Sequence, residues 1–157
     1  MKFIIHGGTL SRSLQSISSV VPSGRTMPIL LNFLMEVENE ELKITASDLE
    51  TTITVKLNPS MLEQDQVNKI AIPAKMFLEV VNSLSSQQIT VEVKENYSVE
   101  ITAGTGRYKL VGEDPASYPT AIELSDPALT TISSSVFSSA TSVTFKVLVF
   151  TVNVWGL

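Results

Sequence analysis

Two pairs of carboxylates are the first candidates for chemistry in this sequence. Asp48 and Glu50 stand two positions apart, which would put them on one face of a strand, and Glu113 and Asp114 are adjacent. Such pairs can act as general acid and base or bind a metal ion. The one histidine, His6, could serve as a base. A small hydrolase built on these residues is therefore one hypothesis for the function.

The composition argues against that hydrolase. The 157 residues contain no cysteine, so the chain has no disulfide framework, no thiolate zinc site and no thiol nucleophile. A single histidine makes a Ser–His pair or a multi-histidine metal site hard to assemble. We interpret Asp48 as structural, accepting backbone N–H groups at a strand end, and give His6 a surface or turn role. We predict no catalytic residues, no metal site and no cofactor.

Charge is unevenly distributed along the chain. The formal net charge is -5, but no acidic residue precedes Glu36, whereas Lys2, Arg12 and Arg25 do. All the carboxylates lie between Glu36 and Asp126, and only Lys146 is charged after them. The acidic total argues against a protein that grips nucleic acid by charge. The order of a basic head, an acidic middle and a nearly uncharged tail says more about possible partners than the net charge does.

Hydrophobic spacing predicts two helices separated by strands. Thr9 is a candidate N-cap for a helix whose apolar stripe includes Leu10, Leu14 and Ile17. The second helix follows Pro73 and buries a stripe that contains Phe77. Alternating residues predict strands, with a loop over Ser60–Gln66; these strands are Lys2–His6, Pro28–Val37, Leu42–Ser47, Thr52–Leu57, Asn68–Ile72, Ile89–Lys94, Val99–Thr102 and Arg107–Leu110. The sum is an α+β domain with two helices packed on antiparallel sheet.

Several ordered motifs resemble one known family. In chain order they are Met1-Lys2-Phe3, Arg25-Thr26-Met27-Pro28-Ile29-Leu30, Leu42-Lys43-Ile44-Thr45-Ala46-Ser47-Asp48-Leu49-Glu50, Ile72-Pro73-Ala74-Lys75 and Tyr118-Pro119. Together they resemble the first domain of the bacterial DNA polymerase III β subunit, the sliding clamp, over residues 1–125. The resemblance implies a DNA-clamp domain of a processivity factor. In that family two subunits form a ring around double-stranded DNA, which tethers the polymerase and performs no bond chemistry.

The resemblance also assigns candidate site residues. Arg25 and Lys75 lie in stretches where the family turns cations toward the duplex, and Arg12, on the polar face of the first helix, is a weaker candidate. The last strand of the meander, with Arg107, Tyr108 and Leu110, corresponds to the strand that pairs with the other subunit. The implied partners are DNA, the polymerase, the clamp loader and a second clamp subunit. The absence of a signal or membrane-spanning run predicts a cytoplasmic protein without membrane contact.

The tail departs from the family. Residues 126–157 resemble an incomplete start of a second clamp domain, and the likeness stops near Ser142. Phe145–Trp155 is β-prone and almost uncharged, which is typical of aggregation-prone segments. We therefore expect a truncated or frame-shifted product that cannot form the normal ring and that self-associates through its tail or an exposed sheet edge.

A third hypothesis is a β-rich binding or adhesion module with no DNA role. The 20 serines and 15 threonines suggest it. Such a module would need a secretion signal, and the start of the sequence shows none. Three classes thus stand open: clamp domain, hydrolase and adhesion module.

Overall fold

The computed structural model describes residues 1–24, 27–38, 41–63, 67–119 and 148–153. Two helices are present in these residues, α1 over Gly7–Ser18 and α2 over Ala74–Ser83. The strands are β1 Lys2–His6, β2 Asn32–Glu38, β3 Glu41–Ser47, β4 Thr51–Leu57, β5 Met61–Glu63, β6 Lys69–Pro73, β7 Gln88–Val93, β8 Ser98–Ala103, β9 Gly106–Val111 and β10 Leu148–Asn153. Short 3₁₀ turns cover Pro28–Leu31 and Pro115–Ser117. Neither described helix is long and apolar enough to cross a membrane.

The strands form two five-stranded sheets. One has the order β5-β1-β7-β8-β9 and the other β10-β4-β3-β2-β6. Neighbouring strands are antiparallel, except that β10 runs parallel to β4, with Leu148 opposite Thr51 and Asn153 opposite Lys56. Thus β9 is the outermost strand of the first sheet, whereas β10 covers β4 in the second.

The chain repeats one order of elements twice. The first half runs β1-α1-β2-β3-β4 and the second runs β6-α2-β7-β8-β9. The halves exchange their first strands, because β1 pairs with β7 and β6 pairs with β2. Each sheet therefore contains strands of both halves, which joins the two halves into one unit.

The core lies between the helices and the inner faces of the sheets. It includes Phe3 of β1, Leu14 of α1, Phe33 of β2, Phe77 of α2 and Val91 of β7, all fully buried. A smaller apolar cluster packs on the other face of the second sheet, since Leu34 points away from the side of Phe33; its members are Ile29, Leu30, Leu34, Ala71 and Tyr118. The predicted α+β class, with two helices on antiparallel sheet, is confirmed.

Three details of the sequence prediction were wrong. Residues 28–31 form a 3₁₀ turn instead of the start of a strand, because Pro28 fixes a helical φ and lacks an N–H. The loop predicted over residues 60–66 contains β5, which pairs with β1. The first helix begins at Gly7, two residues before the predicted cap at Thr9.

Candidate nucleic-acid interface

The exposed residues of the two helices form one polar surface. We call this set the helix face; it consists of Arg12, Gln15, Ser16, Lys75, Met76, Glu79, Asn82 and Ser83. Its charged members are two cations and one carboxylate. The helix face therefore carries a small positive charge on a chain whose net charge is -5.

His6 and Gly7 fix the start of α1. The His6 imidazole Nδ1 accepts a hydrogen bond from the Gly8 amide at 3.2 Å, so His6 is the N-cap. The Gly7 amide donates to the carbonyl of Gln87 at 2.8 Å. A Cβ at residue 7 would lie 2.1 Å from the Leu84 carbonyl oxygen, so only glycine permits this approach. The start of α1 therefore packs backbone to backbone against the end of α2.

An uncharged polar cluster joins the helices one turn further along. The Ser11 hydroxyl donates to Asn82 Oδ1 at 2.5 Å, and Gln15 Nε2 donates to the same oxygen at 3.0 Å. Gln15 Nε2 also lies 3.2 Å from Ser11 Oγ. Ser11 is buried, while Gln15 and Asn82 are exposed. We call these three residues the amide clasp.

The predicted DNA-facing cations have different surroundings. Arg12 is exposed, and its Nε donates to the Gly8 carbonyl at 3.3 Å, which orients the guanidinium along α1. Lys75 is exposed in the first turn of α2. Neither side chain has a carboxylate within 4.0 Å among the described residues. Arg25 lies outside the described residues. The structure thus places Arg12 and Lys75 on the helix face without joining them to each other.

Ion pairs occur on the strands. The described residues form five pairs, which are Lys43–Glu38, Lys56–Glu41, Lys69–Glu36, Lys94–Glu100 and Arg107–Glu100. The hydrogen bond and the positive charge of Lys43 lower the pKa of the exposed Glu38 carboxyl. Four carboxylates of the acidic middle segment are therefore engaged on the sheets, whereas Glu79 of the same segment lies on the helix face.

The predicted subunit-contact strand is an outer strand. β9 pairs with β8 and has no second partner among the described strands. The Arg107 side chain is exposed and lies 3.5 Å from Glu100, and the Tyr108 side chain is also exposed. Leu110 is buried in the core, so its side chain is not available on this edge. Val111, at the end of β9, is 75% exposed and adds an apolar group that the sequence prediction missed.

The hydrolase candidates do not form an active site. Asp48 and Glu50 occupy the turn between β3 and β4, so the expected shared strand face was wrong. Asp48 Oδ1 accepts the amides of Glu50 and Thr51 at 3.0 and 2.6 Å, which confirms its predicted structural role. In the same way Asp114 Oδ1 accepts the Ala116 amide. No group of three potential metal ligands occurs in the part of the chain that the structure describes.

Comparison with known proteins identifies the family. Residues 1–123 match the model of the DNA polymerase III beta subunit, N-terminal domain. A beta sliding clamp of Vibrio harveyi is 32% identical over 120 residues, which cover 76% of this chain and 81% of that relative. The chain belongs to the bacterial DNA polymerase III β subunit family. The resemblance stated from the sequence motifs is therefore confirmed.

Two further similarities show the extent of the match to sliding clamps. A beta sliding clamp of Chlamydia pneumoniae is 28% identical over 119 residues, 76% of this chain and 32% of that relative. A crystal structure of a DNA polymerase III β subunit from Eubacterium rectale superposes with a TM-score of 0.73 at 25% identity, covering 79% of this chain and 33% of that one. The chain thus spans about a third of the length of these two sliding-clamp relatives, and the shared part is one clamp domain.

Sequence reasoning missed the contacts between the helices of this clamp domain. The paired glycines at residues 7 and 8 are the available signal, because a glycine that opens a helix can indicate a close backbone approach. The amide clasp gave no signal, because Ser11, Gln15 and Asn82 look like ordinary polar surface residues. Their connection depends on how α1 and α2 pack, which helical spacing does not specify.

Proposed function

We propose that this chain supplies the first domain of a sliding clamp, with its helix face turned toward double-stranded DNA. The observation that carries the proposal is the segregation of charge. Among the described residues Arg12 and Lys75 form no ion pair on the helix face, whereas four carboxylates are engaged on the sheets, namely Glu36, Glu38, Glu41 and Glu100. A surface that lies beside a polyanion gains from this arrangement.

The proposed contacts between the helix face and DNA are individually weak. Two cations and short polar side chains hold a duplex loosely, and water can bridge the remaining distance. In a full-length clamp, the closed ring keeps the DNA by topology, so weak contacts are compatible with processivity and permit sliding. The role is that of a non-catalytic, cytoplasmic processivity factor that tethers the replicative polymerase, and the clamp loader is a further partner.

The edge at β9 is the proposed contact with the next clamp domain of a ring. Its outer backbone groups are open in the described structure, and Arg107, Tyr108 and Val111 are exposed along it. An added strand would complete the hydrogen bonds of this edge. A strand with carboxylates opposite Arg107 and Lys109 suits it best.

The β4 strand of the second sheet is not open in the way that β9 is. In the described structure β10 already covers β4, so we propose that self-association of this chain uses β9 and not β4. We further propose residues 1–125 as the first clamp domain and residues 126–157 as the start of a second. Residues 126–147 lie outside the described residues. They include Ser142, near which the resemblance to a second clamp domain ends.

Paired neutralisation tests the helix face. Arg12→Gln with Lys75→Gln removes two positive charges from that face, and Lys56→Gln with Lys69→Gln removes two from the strands. Binding of the full chain to a short duplex is measured by fluorescence anisotropy between about 20 and 100 mM salt. We expect the helix-face double variant to lower the slope of log affinity against log salt by about 2, since each phosphate contact contributes about 0.9.

The strand double variant should leave that slope nearly unchanged. Equal losses in the two variants would show that net charge and not the helix face governs binding, and would contradict the proposal. The fold of each variant is checked by its thermal midpoint, because exposed ion pairs contribute only about 0 to 1 kcal/mol.

A further inference from the structure

The two ends of the Asn82 amide have unlike surroundings. The carbonyl oxygen accepts from Ser11 and from Gln15, at 2.5 and 3.0 Å. The amide nitrogen donates to no group among the described residues, and the residue is exposed on the helix face. The clasp therefore holds the oxygen toward α1 and leaves the two N–H groups directed to solvent.

Such an amide is fixed before any ligand arrives. Asparagine in solution rotates freely, and ordering its side chain on binding costs free energy. Here two donors on α1 already set the rotamer. A preorganised donor on a surface of low charge can hydrogen-bond a phosphate oxygen without adding the strong attraction of a cation.

We propose that Asn82 is a DNA-backbone contact of this clamp domain, positioned by Ser11 and Gln15. The ligand class is the phosphate of double-stranded DNA, and the inference rests on the proposed function of the helix face. Phosphate contacts carry no sequence information, so a neutral donor of this kind suits a clamp that slides over any sequence. Asn82 lies seven residues after Lys75, about 10 Å along α2, which places it beside a different phosphate.

Asn82→Asp separates this role from a purely structural one. The carboxylate keeps an oxygen that accepts from Ser11 and Gln15, so the clasp is retained, but both amide hydrogens are lost. Ser83→Asp is the matched control, because Ser83 is exposed next to Asn82 on the helix face, so that the same negative charge is added to the same surface without the loss of an amide donor. We expect Asn82→Asp to weaken binding of the full chain to a 12-base-pair duplex about 5- to 10-fold more than Ser83→Asp does.

The direct readout is the side-chain amide resonance of Asn82. In a nitrogen-15 NMR titration of the full chain with the same duplex, the Asn82 Nδ2 signals should shift together with the backbone amides near Arg12 and Lys75. Shifts near Arg12 and Lys75 without a shift at Asn82 Nδ2 would overturn the role of Asn82 and leave the proposed function intact. An absence of shifts on both helices would overturn the proposed function itself.

Discussion

The sheets and the helices of this domain differ in how their charged side chains are paired. On the sheets, Glu36, Glu38, Glu41 and Glu100 each face a cation, and the described ion pairs all involve a strand residue. On the helices, the side chains that hydrogen-bond across α1 and α2 are uncharged. Arg12 and Lys75 form no ion pair with any carboxylate of the described residues. The helix face thus carries two cations and one carboxylate, Glu79, while four other carboxylates are paired with cations on the sheets.

The two regions are also held together differently. The strands are joined by backbone ladders, with side-chain pairs added at the surface. The helices meet through a glycine contact and the amide clasp, which depend on short side chains and close approach. We therefore expect substitutions of small groups between the helices to cost more than the loss of charged groups on the sheets.

The largest expected effect is that of Gly7→Ala. The new methyl group would lie 2.1 Å from the Leu84 carbonyl oxygen, and a backbone atom cannot move aside as a flexible side chain can. We expect a loss of about 3 kcal/mol in the free energy of unfolding, measured by urea denaturation. Gly106→Ala is the control, because its closest contact is 3.3 Å and should cost less than about 1 kcal/mol. Similar losses in the two variants would contradict the close helix approach.

Alkaline pH probes the apolar cluster on the far side of the second sheet. Burial raises the pKa of Tyr118 to about 12, while an unfolded tyrosine titrates near 10. The unfolded state therefore loses this proton first, and the stability that Tyr118 contributes is present below pH 10 and lost as pH rises toward 12. Relative to Tyr118→Phe, the full chain should lose about 2 kcal/mol between pH 9 and pH 12.

Urea unfolding of the two proteins at a series of pH values measures this difference. Lysine titration affects both proteins alike and cancels in the comparison. A parallel pH dependence of the two would show that Tyr118 is not protected by burial.

Loss of the N-cap of α1 should have a smaller effect on the free energy of unfolding. His6→Ala removes the acceptor of the Gly8 amide and should lower the free energy of unfolding by about 1 kcal/mol. His6→Asn restores a good N-cap acceptor and should keep the stability within a few tenths of a kcal/mol of the original. Thermal unfolding of the three proteins checks this. Equal losses in both variants would indicate that the imidazole packs and does not cap.

The smallest effect is expected on the sheet surface. Lys69→Gln removes the ion pair with Glu36, whose atoms lie 2.8 Å apart at the partly exposed surface. The free energy of unfolding should fall by about 0.5 kcal/mol or less, because water already solvates both groups well. A loss as large as that of His6→Ala would contradict the contrast between sheets and helices.

Sequence patterns predicted the elements better than their contacts. The stripes of Leu10, Leu14 and Phe77 and the alternation of β3 and β4 follow from local periodicity, so the class and most strands were predictable. The turn role of Asp48 is also local. His6 as a cap, Gly7 against Leu84 and the amide clasp arise only when two distant segments meet. The uneven distribution of charge along the sequence was visible in advance, but only the structure shows which acids are paired on the sheets.

A map of backbone amide shifts would show which surface of this domain contacts DNA. The full chain is titrated with a short duplex at low salt and followed by nitrogen-15 NMR. We expect the largest shifts on the helix face, around Arg12–Ser16 and Lys75–Ser83, and little change in β2, β3 and β4. Largest shifts on the strands, or along β9, would contradict a DNA-facing helix layer.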